Sequence, residues 1–106
     1  MNNNLQQLMQ MGQQLQARIT KLQESLGNHK ITASSGGGMV SATVDGKGEV
    51  KEILIDPTCV DKNDVEMLED LVVAAVTQAQ AKARQLYEEE MKKAAGGLPV
   101  PIPGLL

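Results

Sequence analysis

Aromatic side chains are almost missing from this 106-residue chain, which has one tyrosine, Tyr87, and neither phenylalanine nor tryptophan. Any core must be aliphatic, filled by Leu, Ile, Val, Ala and Met. The stacking platforms by which RRM and OB domains hold single-stranded nucleic acid are excluded. Cysteine occurs once, at Cys59, so no disulfide closes within the chain and a reducing, cytoplasmic compartment is expected. The single histidine, His29, is distant in sequence. Cys59 therefore has no base beside it and reads as a small packed apolar side chain. Long apolar runs are missing too. The longest, Leu71–Val76, falls far short of the roughly 20 residues a membrane span needs. The opening MNNNLQQLMQ has neither the basic start nor the apolar stretch of a leader. The expectation is a protein of the cytoplasm with no membrane partner.

What is present is an uneven charge. The formal net charge is −3, which by itself disfavours a nucleic-acid partner, but its distribution matters more. Residues 1–48 carry Arg18, Lys21, Lys30 and Lys47 against Glu24 and Asp45, a balance of +2. The remainder balances to −5, with acids crowded between Glu49 and Asp70. The segment from Lys82 to Lys93 turns slightly basic again, with Lys82, Arg84, Lys92 and Lys93 around Glu88, Glu89 and Glu90.

Apolar periodicity gives the organisation. Leu5, Leu8, Gly12, Leu15, Ile19, Leu22 and Leu26 recur in steps of three and four, which predicts a helix over 3–26 with a heptad-like seam broken only at Gly12. Gly27-Asn28 supplies its stop. Three strands are predicted at 29–34, 39–44 and 50–55, with Val40, Ala42 and Val44 alternating against Met39, Ser41 and Thr43. Asp45-Gly46-Lys47-Gly48 is a hairpin turn, and Asp56-Pro57 ends the sheet. A second helix begins near Asp61 to Asp64 and follows Val65, Leu68, Val72, Ala75, Ala79, Leu86 and Met91 to Gly96-Gly97. The fold class is α+β, in the order α-β-β-β-α, with a three-stranded antiparallel sheet and two long terminal helices. Residues 1–96 form a single domain, and 97–106, punctuated by Pro99, Pro101 and Pro103, form a flexible Pro/Gly/Leu-rich tail. Helices of about 35 and 45 Å overhang strands of about 17 Å, so burying both stripes calls for a second copy. A homodimer is expected.

Gly36-Gly37-Gly38 raises the possibility of a phosphate loop. Such a loop leads into a helix N-terminus and is followed by Lys-Ser/Thr. Here the glycines lead into a strand and no such pair follows, so they are a backbone hinge. One histidine permits neither a catalytic triad nor a zinc site with usual spacing. No enzyme activity, cofactor, metal or small-molecule substrate is expected.

The stretch GGGMVSATVDGKGEVKEILIDP, followed by DVEMLEDLVVAAVTQAQAKARQLYEEEMKK and preceded by a Gln-rich heptad helix, resembles the YbaB/EbfC family of small bacterial nucleoid-associated proteins across essentially the whole chain. The resemblance implies a homodimer that binds duplex DNA through its terminal helices and associates with the nucleoid. It designates no contact residues. From charge and position the candidate DNA contacts are Arg18, Lys21 and Lys30 around the first helix and Lys82, Arg84, Lys92 and Lys93 on the second. The bland reading of the second set is pairing at i,i+4: Arg84 with Glu88, Glu88 with Lys92, and Glu89 with Lys93. A protein-interaction or assembly factor, presenting the acidic middle and the tail to a partner, is the alternative to DNA binding.

Overall fold

The computed structural model describes residues 2–94 and 96; the tail expected at 97–106 lies outside the described residues. Helix α1 spans Asn2–Leu26, strands β1, β2 and β3 span Ile31–Ser35, Val40–Val44 and Val50–Ile55, and helix α2 spans Val65–Ala94. The strands pair antiparallel in the order β1-β2-β3. The expected α-β-β-β-α order is present.

Local chemistry sets the boundaries. The Asn28 and His29 amides still donate to the Ser25 and Leu26 carbonyls, so β1 starts at Ile31 rather than at residue 29. Gly36, Gly37 and Gly38 all have positive φ (61°, 69° and 94°), a left-handed turn that residues with a Cβ resist. The Met39 amide closes this turn onto the Gly36 carbonyl, which leaves Met39 outside β2. Asp64 caps α2 by accepting from the Met67 amide at 3.2 Å.

The core lies between the sheet and α2. Ala75, Ala79 and Ala83 form a stripe one turn apart and are buried against Ala33, Val40, Ala42, Val44 and Cys59. Their small size lets the helix backbone lie close to the sheet. Val65 is exposed, so the buried stripe differs at its start from the expected one: it begins at Leu68 and runs through Leu71 and Val72. Cys59 is delivered to the core by a single helical turn, Pro57–Cys59, whose Asp56 carboxylate accepts from the Thr58 amide and hydroxyl.

One face is left open. Helix α2 packs on β1 and β2. β3 carries an extra residue opposite the Thr43/Val44 step, a bulge at Lys51 that brings Val50 to the same side as Ile53 and Ile55. Pairing with Val44, Ala42 and Val40 places all three on the face toward α2, yet each is 40% exposed.

The two halves of α1 also differ. Leu26 is fully buried and Leu15, Ile19 and Leu22 are half-buried, whereas Leu5 and Leu8 are more than 60% exposed. The outer half of the helix projects, giving extents of 73 × 26 × 16 Å.

Candidate nucleic-acid interface

The inner end of α1 is locked to the hairpin turn. The Gly46 amide donates to the Leu26 carbonyl at 2.7 Å. A Cβ at residue 46 would lie 2.6 Å from that same oxygen, so only glycine permits the approach. Beneath the turn, Asp45 is 3% exposed. Its Oδ1 accepts from the Lys47 and Glu49 amides at 2.9 and 3.0 Å, and Lys51 Nζ lies 3.8 Å from Oδ2. The Glu49 amide above all, helped by the Lys47 amide and the nearby ammonium groups, holds the Asp45 carboxyl below its ordinary value against the opposing effect of burial.

This docking places α1 beside the second half of α2 and distributes the seven candidate cations into three groups. Arg18 and Lys21 line a shallow groove along α1 with Gln13, Gln16, Ala17, Thr20 and Glu24. Arg18 Nη1 lies 3.8 Å from where a Gly96 Cβ would be, so its guanidinium reaches the end of α2 that carries Lys92 and Lys93 in its last turn. The second group flanks β1. Lys30 lines a hollow with His29, Thr32, Asp45, Lys51 and Glu52, and Lys82 Nζ donates to the Thr32 carbonyl at 3.3 Å. The third is Arg84, in a cleft between α1, the turn and α2. At about 100° per residue, Lys82 and Arg84 lie about 200° apart around α2, so these cations do not form one continuous patch.

Pairing is sparser than the helix spacing suggests. Among the described residues, the three i,i+4 pairs weighed above do not form ion pairs; Lys93 meets Glu90 at 3.4 Å instead. Arg18, Lys21, Lys82, Arg84 and Lys92 have no carboxylate within 4.0 Å among the described residues. Sequence reasoning missed Lys47, which shares the cleft with Arg84. Its one sequence signal is a lone cation between two glycines at the tip of a hairpin, where no packing duty explains it. Among the described residues no group of His, Cys, Asp or Glu is arranged to hold a metal, and no helix is long and apolar enough to cross a membrane.

Comparison with known proteins gives a consistent picture. The model of the YbaB/EbfC DNA-binding family matches residues 1–98. A nucleoid-associated protein of Thermoanaerobacter pseudethanolicus is 46% identical over 98 residues, covering 92% of this chain and 88% of the relative. One from Rhodospirillum rubrum is 42% identical over 102 residues, covering 96% and 94%. Among solved structures, an uncharacterized protein from Helicobacter pylori superposes with a TM-score of 0.68 at 26% identity, covering 86% of this chain and 91% of that one.

Proposed function

Since the chain belongs to the YbaB/EbfC DNA-binding family, we propose that it is a nucleoid-associated homodimer that binds duplex DNA mainly through backbone phosphates. In this role it contributes to chromosome organisation and to the regulation of genes near its sites. The observation that carries the phosphate reading is the set of unpaired cations in a net-acidic protein. Arg18, Lys21, Arg84 and Lys92 lie on the two terminal helices without a carboxylate within 4.0 Å among the described residues, while most of the acids lie between Glu49 and Asp70. Unpaired cations cost no ion pair when they meet a phosphate. Phosphate contacts position a protein on duplex DNA without reading its sequence. The Gln-rich face of α1 adds amides of the kind that bond adenine edges.

The homodimer reading is supported by the open face of β3 and the exposed apolar side chains of outer α1. Val50, Ile53 and Ile55 present a strip continuous with the core, and a second copy covers it with identical chemistry. The exposed Leu5, Leu8, Met9 and Met11 also favour a second reading, that of a protein-interaction or assembly factor. A mobility shift with labelled duplex and unlabelled competitor, repeated across salt concentrations, separates the two. Salt-sensitive binding shared by unrelated duplexes is expected; no shift even at low salt leaves the assembly reading.

A further inference from the structure

The cleft holding Arg84 has a volume of about 600 Å³ and is lined by Gln23 from α1, Gly46, Lys47 and Gly48 from the turn, and Gln80, Arg84 and Tyr87 from α2. We propose that it is a phosphate-binding notch in which Lys47 and Arg84 grip one phosphate group together. The inference rests on the duplex-DNA reading for the source of that phosphate and adds a residue outside the terminal helices.

Four observations converge. First, in a chain with 13 acids and 10 strong bases, the lining contains, among the described residues, two cations and no carboxylate. Second, neither cation has a carboxylate within 4.0 Å among the described residues. Asp45, the acid next to the Gly46-Lys47-Gly48 tip, is occupied by the Lys47 and Glu49 amides and by Lys51. Third, the walls are fixed to one another. Gln80 Nε2 donates to the Gly48 carbonyl at 3.0 Å, joining α2 to the turn, and the Gly46 amide joins the turn to α1. The Lys47 stem lies over the end of α1, its Cε 3.8 Å from where a Gly27 Cβ would be. Fourth, the remaining polar groups suit an oxyanion. The Gln23 amide and the Tyr87 hydroxyl are hydrogen-bond donors, the guanidinium offers a planar fork and the ammonium a point charge. The volume falls in the range of small-molecule sites and admits the sugars on either side of a phosphodiester.

The test has two arms, both on the full chain, with circular dichroism confirming the fold of each variant. In the first, inorganic phosphate is titrated against sodium chloride of equal ionic strength and followed by NMR. Saturable shifts at the Gly46, Lys47 and Gly48 amides and at Arg84 Nε are expected, with the phosphate affinity lowered in Lys47→Met and in Arg84→Met and the remaining shifts lost in the double variant. Absence of the shifts in the wild-type protein overturns the notch. The second arm measures duplex affinity across salt for both variants and for the double variant. Two cations on one phosphate give a non-additive result: either single variant keeps most of the salt slope, and the double variant flattens it by about 0.9 for each notch engaged. Equal, additive steps would mean two separate phosphates and would overturn the shared grip. If phosphate binds while the wild-type protein binds no duplex, the notch stands with a free phosphate as its ligand and the DNA reading falls. If the duplex binds with the same slope in the double variant and no phosphate shift is seen, the notch falls and the DNA reading stands.

Discussion

β2 and β3 are neighbouring strands with similarly apolar inner faces, and they end in opposite environments. Val40, Ala42 and Val44 are fully buried, while their cross-strand partners Ile55, Ile53 and Val50 remain well exposed. The strands themselves do not explain the difference. Ala75, Ala79 and Ala83 bring α2 down onto β1 and β2, and this one helix is too narrow to reach across three strands. An amphipathic strand therefore specifies that one face must be covered, but not by which chain. The same lesson holds along α1, whose inner seam meets the rest of the protomer while Leu5 and Leu8 of its outer seam are left exposed among the described residues.

The largest expected effect breaks the β2/β3 contrast outright. Val40→Asp places a charge in the core, which costs several kcal/mol, and is expected to abolish the helical signal in circular dichroism. Ile55→Asp, on the paired residue across the ladder, is expected to preserve that signal and halve the mass seen by sedimentation equilibrium from twice the 11.3 kDa chain to one chain. If Ile55→Asp unfolds the protein as Val40→Asp does, β3 belongs to the protomer's own core and the open face is not an interface.

The turn that joins the two strands gives the next test. Gly46→Val drives a Cβ into the Leu26 carbonyl, and overpacking of this kind costs about 1–3 kcal/mol. Gly12→Ala, where nothing among the described residues lies within 4 Å of an added Cβ, is expected to stabilise by up to about 1 kcal/mol through helix propensity. Thermal melts of the pair should move in opposite directions.

Acid acts on the same turn. The Asp45 carboxyl is held low chiefly by the Glu49 amide, and the Asp56 carboxyl by the Thr58 amide and hydroxyl. A folded-state value below the unfolded one contributes stability that is present above the unfolded value and is lost as pH falls through the folded one. The melting temperature is therefore expected to be insensitive to these groups above about pH 5 and to fall below about pH 4. Asp45→Asn should lower stability at neutral pH and make the acid decline shallower.

The smallest effect concerns charge. Lys62 sits among Asp61, Asp64 and Glu66, so Lys62→Ala is expected to leave duplex affinity unchanged. The combined Arg84→Ala and Lys93→Ala variant should lower affinity similarly for all duplex sequences. Equal losses in fluorescence anisotropy would show that the cations of the acidic end serve as well as those of the helices.

Much of this fold was legible in the sequence because its signals are local. The glycine run, the Asp-Gly turn and the Asp-Pro stop each impose a backbone conformation, and Ala75 and Ala79 lie on the expected stripe. Exposure was legible only where one protomer supplies the cover, as at Val40; Val65 and Ile55 look equally apolar in sequence and lie open. The site was less legible still. Lys47 and Arg84 are far apart in the chain and line one cleft only because Gly46 docks the turn on Leu26, a close approach that no spacing announces. The helix rule that pairs Glu89 with Lys93 gave way to an i,i+3 contact of Lys93 with Glu90 at 3.4 Å.

The central claim, that the unpaired helix cations of a dimer hold duplex DNA by its phosphates, is tested most directly by the salt dependence of duplex affinity. With roughly four to six phosphates neutralised, a plot of log affinity against log salt should be linear with a slope of about −4 to −5, the same for unrelated sequences. A slope near zero, or no binding at low salt, would contradict it.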